Sequence, residues 1–172
     1  MPLILILAES GVEIIPKRIR RHPAVKKNLN RKLYSSQLLD NALHHSAMNR
    51  LRNRNKRGRP DIAHLCLLNA LGSPLNKSGN LRIFMHTVKD KIFEFNPNVR
   101  IAKNFNRFKG LMAKLLVDGD ILTPDGPLIT HREGSLNDLL EALHPSKTYV
   151  LSKKGKLKVD PITIFPTELD EN

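Results

Sequence analysis

The stretch Arg57-Gly58-Arg59-Pro60-Asp61 runs directly into the apolar segment 62–71, which is followed by Ser73-Pro74-Leu75-Asn76. Proline suits the first turn of a helix, where its missing N–H would be unpaired anyway, and an aspartate there complements the positive end of the helix dipole. The stretch therefore predicts a helix that starts at Pro60 and is stopped by Gly72 and Pro74. Because residues 62–71 are apolar on nearly every side, we expect this helix to be buried.

The segments on either side of this helix predict a mixed α/β domain. Residues 2–8 have the pattern of a buried strand, and 81–87 and 91–95 are strand-like and joined by a polar turn, as in a hairpin. The pattern further predicts a helix over 109–117, a loop over 118–126, a helix from a Ser135 capping box to Leu143, and a short strand over 148–151. We expect one domain, residues 1–172, with an α/β sheet that has helices on its faces and an antiparallel element within it.

The charge of the chain points to a polyanion. Its 172 residues carry 29 Lys and Arg against 16 Asp and Glu, a formal net charge of +13. Residues 17–59 hold fourteen basic side chains and a single acid, Asp40. A solvated basic face is the commoner explanation of a charge run, but the near absence of acids favours a nucleic acid partner.

Several classes of function find no support in the sequence. Residues 1–8 are apolar, but no basic residue precedes them and Glu9 ends the run too early for a signal peptide or a membrane span, so we expect a cytoplasmic protein. The single cysteine, Cys66, lies in the most apolar helix and is interpreted as a buried hydrophobic residue. His44 and His45 lack a carboxylate or thiol at ligand spacing, so no metal site is predicted.

Two separated segments carry the candidate RNA-binding side chains. In the first, two guanidiniums, a glycine that allows close backbone approach, and a carboxylate two residues after Arg59 form a compact element that faces anions. In the second, Arg100, Lys103 and Arg107 stand at i, i+3 and i+7 and share one face if the helix over 109–117 extends back that far. A solvent face opposite the leucine stripe is the alternative. We expect the cations of both segments to converge on a single RNA loop.

The motifs of the chain, taken in order, resemble those of the small-subunit rRNA pseudouridine-N(1) methyltransferases of ribosome biogenesis, in their compact archaeal form. The resemblance covers residues from about 1 to 157. It rests on Leu7-Ala8-Glu9-Ser10, Arg57-Gly58-Arg59-Pro60-Asp61-Ile62, Ser73-Pro74-Leu75-Asn76, His86-Thr87, and the segment from Asn96-Pro97 to Arg107-Phe108.

This resemblance implies a SPOUT-superfamily fold, a knotted α/β domain that forms a homodimer. The implied activity moves a methyl group from S-adenosylmethionine to a pseudouridine in small-subunit rRNA. Carried over by position, Arg59, Arg100, Lys103 and Arg107 would contact the substrate rRNA, and Asp61 would hold Arg59 in place. The sequence departs from the family at Ala102 and Lys103, where arginine after proline is more usual. Lysine keeps the charge but loses the bidentate fork.

The end of the chain departs further from the family pattern. A strand-like segment at 161–165 would be followed by a glycine-rich loop, an apolar segment and a final helix that enclose S-adenosylmethionine, but here residues 167–172 close the chain. The interpretation is a C-terminally incomplete domain without the cofactor-binding residues. Three hypotheses remain open: an rRNA methyltransferase, a non-catalytic rRNA-binding assembly factor, and a truncated record of an intact enzyme.

Overall fold

The computed structural model of the chain describes residues 2–29, 37–152 and 154–155. Within these ranges, helices and strands interleave along the chain. The strands are β1 Leu3–Ser10, β2 Leu81–Thr87, β3 Ile92–Phe95, β4 Ile121–Thr123 and β5 Gly126–Arg132. The α-helices are α1 Pro23–Lys27, α2 Asn41–Met48, α3 Pro60–Gly72, α4 Pro74–Lys77, α5 Phe105–Asp118 and α6 Leu136–Leu143, with 3-10 turns at Lys17–Ile19 and Arg54–Lys56.

The strands form one mixed sheet in the order β1-β2-β3-β5-β4. β1 runs parallel to β2, with Leu5 opposite Ile83, and the other neighbouring strands are antiparallel. Two neighbouring parallel strands need a long crossover connection. Here the crossover is the chain between β1 and β2, which includes α1 to α4. The predicted α/β sheet with flanking helices and its antiparallel hairpin are therefore confirmed.

The main hydrophobic core lies between the sheet and the two longest helices, α3 and α5. Met85 and Phe93 of the sheet, Leu67 of α3, and Phe108 and Met112 of α5 are all fully buried in one cluster. Burying a side chain of this size stabilises the fold by about 1.5–3 kcal/mol. The sheet therefore holds α3 and α5 in one core, and the two candidate RNA-binding segments lie at the beginnings of these helices.

A second, smaller cluster supports the basic loop before α3. Its members are Ile15, Ile19, Val25, Leu39, Ala47, Met48 and Leu51. Gly58 lies directly on this cluster with φ +64°, and a Cβ there would come within 3.1 Å of Met48 Cε and 3.2 Å of Leu39 Cγ. Only glycine adopts this conformation without strain and leaves room for the contact. The loop that carries Arg57 and Arg59 therefore packs against this second hydrophobic cluster.

The predicted burial of α3 is wrong on one face. The helix spans Pro60–Gly72 as expected, but Ile62 is 49% exposed and Leu65 is 62% exposed, and Cys66 is only half-buried. Ala63, Leu67 and Ala70 make the buried face instead. An apolar composition alone cannot distinguish a helix enclosed by its own domain from one with an apolar face left open.

Two predicted elements differ from the structure, and one strand was not predicted. The segment 118–126 contains strand β4, which pairs with the unpredicted β5 as a hairpin, and residues 148–151 are not a strand. Short strands such as β4 depend on their partner more than on local propensity. The Ser135 capping box is confirmed, since Ser135 and Asp138 exchange hydrogen bonds at the start of α6. The strand-like segment at 161–165 lies outside the described residues.

Candidate nucleic-acid interface

Arg59 and Asp61 form an ion pair at the start of α3. The Arg59 Nε and Nη2 groups donate to the two Asp61 carboxylate oxygens at 2.9 and 2.8 Å. Hydrogen bonding to Arg59 lowers the pKa of Asp61, and the same bonds raise the pKa of Arg59. Both side chains are about half exposed, so the carboxylate orients a guanidinium that still faces solvent. A fixed, exposed guanidinium is suited to a phosphate or a base edge.

The backbone of Arg59 is held against the end of β1. Its N–H donates to the Gly11 carbonyl oxygen at 2.9 Å. A Cβ at Gly11 would lie 2.9 Å from the Lys56 carbonyl oxygen and 3.1 Å from the Arg59 nitrogen, so the approach requires glycine. Nearby, Lys56 contacts the Glu9 carboxylate at 2.7 Å, and the Glu9 N–H donates to Nδ1 of buried His86 at 3.2 Å. The motifs at 7–10, 57–62 and 86–87 therefore meet in space.

A buried ion pair anchors the same loop from below. Arg57 Nε and Nη2 each donate to a Glu13 carboxylate oxygen at 2.6 Å. The Glu13 side chain is 3% exposed and that of Arg57 is 12% exposed. Hydrogen bonding to Glu13 raises the pKa of Arg57. Of the two arginines in this motif, Arg57 therefore holds the loop, and Arg59 is the one exposed to solvent.

Arg100, Lys103 and Arg107 do not share a helix face. Helix α5 starts at Phe105, after an N-cap at Asn104 whose side chain accepts from the Arg107 N–H at 3.0 Å. Arg100 and Lys103 consequently lie in the irregular segment before the helix, and Arg107 lies in its first turn. The asparagine cap satisfies a free N–H group and so favours a start at this point. All three cations are exposed, and none pairs with a carboxylate among the described residues.

His64 joins the two cationic segments. It lies one turn after Asp61 on α3, and its Nε2 donates to the Ala102 carbonyl oxygen at 2.8 Å. Its ring stacks on Phe108 with a centroid distance of 4.4 Å and on Phe105 at 5.6 Å. The beginning of α3, next to Arg59, therefore contacts the residues around Lys103 and Arg107. Phe108 is fully buried and Phe105 is half-buried, so both pack in the core as predicted.

Helix α2 is tied to the same junction by Lys109. Lys109 Nζ contacts the Asp40 carboxylate at 2.8 Å and lies 4.6 Å from the centre of the Phe105 ring. Asp40 also caps α2 by accepting from the Ala42 N–H at 3.0 Å. The single acid of the basic stretch 17–59 thus has a structural role, since it links the start of α2 to the start of α5.

A cavity beside Arg59 was not predicted from the sequence. It has a volume of about 230 Å³ and lies between α2 and the loop 54–59. Its lining residues are Asn41, His45, Met48, Arg54, Asn55, Arg57 and Arg59. Three of them, Arg54, Arg57 and Arg59, are basic residues of the stretch 17–59 that the sequence had singled out. The lining residues from α2 depend on how that helix packs. In the sequence, the signal for this side of the cavity was the i and i+4 spacing of Asn41 and His45, which places both on one face of a helix.

Neither this cavity nor a second one fits S-adenosylmethionine. A larger cavity of about 360 Å³ is lined by Glu13, Ile14, Pro16, Lys17, Lys89, Lys91 and Leu116. Both cavities are bordered by lysine or arginine, which would repel a sulfonium cation. The one carboxylate in either lining, Glu13, is already bound to Arg57.

Neither a metal site nor a membrane-spanning helix is found in the part of the chain that the structure describes. No group of three or more potential metal ligands occurs there. His44 is fully buried, with its Nδ1 accepting from the Asp40 N–H at 3.0 Å, and burial lowers its pKa. No helix in the same residues is both long and apolar enough to cross a bilayer.

The chain matches a family model described as EMG1/NEP1 methyltransferase over residues 5–170. It is 43% identical to the "Ribosomal RNA small subunit methyltransferase Nep1" of Staphylothermus marinus over 99% of this chain and 75% of that protein. The protein of the same name from Saccharolobus solfataricus is 42% identical over 99% of this chain and 76% of its own length.

A solved structure supports the same relationship. The crystal structure of Archaeoglobus fulgidus Nep1 bound to S-adenosylhomocysteine is 40% identical and superimposes with a TM-score of 0.75. The match covers 81% of this chain and 64% of that one. The chain therefore spans about three quarters of the length of the relatives named above and a little under two thirds of the solved structure.

Proposed function

The chain belongs to the EMG1/NEP1 methyltransferase family, and on that premise we propose that it methylates a pseudouridine in small-subunit rRNA during ribosome biogenesis. The family resemblance predicted from the motifs is confirmed, and so is the rRNA methyltransferase class. The pseudouridine acceptor is what the family resemblance implies, and the contacts to the RNA are inferred from the geometry described above.

The observation that carries the proposal is the junction between α3 and α5. His64 connects the turn that holds Asp61 to Ala102 and Phe105, so Arg59 and the segment with Arg100, Lys103 and Arg107 border one surface. On this surface, Arg59 contacts the rRNA with a fixed fork, and Asp61 holds that fork in position. Arg100, Lys103 and Arg107 contact phosphates, which attract exposed cations without demanding a fixed geometry.

S-adenosylmethionine is the methyl donor in this proposal. Support comes from the Archaeoglobus relative, which was crystallised with S-adenosylhomocysteine, the product that remains after methyl transfer. The donor supplies an activated methyl group, so the protein has only to align the acceptor with it. Since neither of the two cavities described above fits this cofactor, we assign the cationic residues around Arg59 and Lys103 the RNA side of the reaction. There they offset the few kcal/mol needed to take a base out of its stack.

A non-catalytic rRNA-binding assembly factor is the second candidate. The observation that favours it is the cationic lining of these two cavities, neither of which suits a sulfonium donor. Both candidates predict rRNA binding, and they differ only in whether S-adenosylmethionine is bound and consumed.

One experiment separates the two candidates. The full chain is incubated with radiolabelled S-adenosylmethionine and small-subunit rRNA loops that carry either pseudouridine or uridine at the acceptor position. Label on the pseudouridine RNA alone supports the methyltransferase. Tight binding of both RNAs without label, together with no heat of S-adenosylmethionine binding by calorimetry, supports the assembly factor.

We further propose that the protein is cytoplasmic, with a SPOUT-like fold, and that it forms a homodimer as expected for the intact family. The support for a dimer is the open face of α3, where Ile62 and Leu65 expose 49% and 62% of their surface one turn apart. Exposed apolar side chains grouped on one helix face are typical of a protein interface. Light scattering should give twice the chain mass for the natural protein and the monomer mass for Leu65→Asp. A monomeric natural protein would contradict this assignment.

A further inference from the structure

We propose that the cavity between α2 and the loop 54–59 binds one extruded nucleobase of the rRNA, next to the backbone that Arg59 contacts. The inference rests on the proposed function, because it takes RNA as the ligand. It adds a binding site formed by α2, and in particular by Asn41 and His45, to the cationic surface between α3 and α5.

The size of the cavity suits a single ring system. Pockets for drug-sized molecules enclose roughly 300–1,000 Å³, and this cavity encloses about 230 Å³. A whole dinucleotide, or an adenosyl group with its amino acid, would be too large. One base fits if its sugar and phosphates remain outside.

The floor of the cavity is suited to the face of a base. Met48 is 3% exposed, and its Cε and Sδ lie against Gly58, so its position is fixed by the second hydrophobic cluster. A methionine thioether makes favourable contacts with aromatic rings. An extruded base would regain here, through contact with the thioether, part of the favourable contact that it loses on leaving its neighbours.

The wall of the cavity offers one donor and one acceptor. Asn41 Oδ1 and His45 Nδ1 are 3.0 Å apart, and because an amide oxygen can only accept, His45 Nδ1 carries the proton. That tautomer leaves His45 Nε2 as an acceptor and Asn41 Nδ2 as a donor, and no group among the described residues is bonded to either atom. A base that presents a carbonyl next to an N–H, as uracil and pseudouridine do, complements this pair.

The rim of the cavity is suited to the flanking phosphates. Arg57 and Arg59 are already paired with Glu13 and Asp61, whereas Arg54 has no carboxylate partner among the described residues and is exposed. Arg54 also donates to the side chain of Asn49, which directs it along the edge of α2. The unbalanced positive charge at the rim therefore comes from Arg54, where a phosphate outside the cavity can reach it.

Abasic scanning tests the inference. Each nucleotide of the rRNA loop is replaced in turn by one that lacks its base, and the dissociation constant is measured with the full chain. For the natural protein we expect one position at which loss of the base weakens binding about fivefold to a hundredfold, the range of base-stacking contributions. For Asn41→Ala combined with His45→Ala, we expect the intact RNA to bind more weakly and the abasic penalty at that position to shrink.

The matched control is Ser46→Ala, an exposed residue of the same helix that does not line the cavity. It should keep the natural pattern of penalties. Asn41→Ala leaves the backbone bond from residue 41 to the Gly58 carbonyl intact, so the loop stays in place.

The outcomes are distinguishable from failure of the proposed function. If no rRNA loop binds the natural protein, the proposed function itself fails. If RNA binds but no abasic position weakens it, or if the penalty survives unchanged in the double variant, the cavity does not hold a base and the inference alone is overturned. Uridine monophosphate bound as tightly as the RNA would assign the cavity to a free nucleotide and would also overturn it.

Discussion

The two cationic segments differ in how their side chains are held. In the loop 54–59, Lys56, Arg57 and Arg59 each pair with a carboxylate, at Glu9, Glu13 and Asp61. In the segment 100–107, which runs into the first turn of α5, Arg100, Lys103 and Arg107 are exposed and pair with no carboxylate among the described residues. A carboxylate partner fixes the orientation of a cationic side chain but neutralises its charge. A cationic side chain without such a partner keeps its charge but has no fixed orientation. We therefore expect the loop to determine where RNA binds and the second segment to determine how strongly salt affects binding.

The largest expected effect is a loss of free energy of unfolding in Glu13→Gln, which removes the ion pair between Glu13 and Arg57 of the loop 54–59. Removing one partner of a buried pair leaves an uncompensated charge, and such changes cost about 3–5 kcal/mol. Because Arg57 keeps 12% exposure, we expect about 3 kcal/mol less free energy of unfolding by urea titration. Glu9→Gln is the control, since the Lys56–Glu9 pair is 59% exposed on both sides and should change that free energy by less than about 1 kcal/mol. Equal effects would show that burial does not distinguish the two pairs.

The next effect concerns the fixed guanidinium. Arg59→Ala should weaken rRNA binding by roughly 1–3 kcal/mol, and Arg59→Lys should recover only part of this because it keeps the charge without the fork. Asp61→Ala acts through Arg59, so the double variant should be no worse than the worse single variant. Dissociation constants at one salt concentration provide the measurement. Simple additivity of the two changes would contradict the positioning role of Asp61.

The free cations should change salt dependence more than sequence preference. The slope of log affinity against log salt is negative. For each of Arg100→Gln, Lys103→Gln and Arg107→Gln, we expect this slope to become less steep by about 0.7 on a single strand, because one phosphate contact is lost. Lys114→Gln is the control, because Lys114 is exposed on the same helix, α5, two turns further from its start. If these variants alter which sequence is preferred and leave the slope unchanged, the second segment reads bases rather than phosphates.

The smallest effect is a pH dependence of stability at the Arg59–Asp61 pair. Hydrogen bonding to Arg59 lowers the pKa of Asp61 below its ordinary value of 3.8, so the pair stabilises the folded state above about pH 4 and loses this contribution as the pH falls through the folded pKa. Asp61→Asn should therefore be less stable than the natural protein at neutral pH and approach it in acid. Both groups are about half exposed, so the difference should be small. Urea titrations at pH 7 and pH 3 provide the comparison.

The sequence predicted the elements that have a strong local signal. Pro60 and Asp61 marked the start of α3, and Ser135 with Asp138 marked the start of α6, because caps and first-turn residues act within a single turn. The start of α5 was harder to predict, because the i, i+3 and i+7 spacing of Arg100, Lys103 and Arg107 also fitted a helix that begins earlier. The Asn104 cap decides the boundary in the structure.

The candidate interface was predicted only in part. Arg59 and Asp61 are close in sequence, so their pairing was foreseeable, and the structure forms it. His64 was interpreted only as part of an apolar helix, although it links α3 to Ala102 through a contact across 38 residues. The cavity wall at Asn41 and His45 was also missed, because a helix's neighbours are set by packing and not by its own sequence.

The amino-acid sequence by itself determined the family, the basic character of the chain, and the ends of its best-capped helices, because these follow from local chemistry and from motifs that recur in a fixed order. Only the tertiary structure decided which arginine holds the loop and which is exposed to solvent. Arg57 and Arg59 are two residues apart, yet one faces the buried Glu13 and the other faces solvent. That difference comes from the packing of Gly58 on Met48 and Leu39, which fixes the path of the loop over the core.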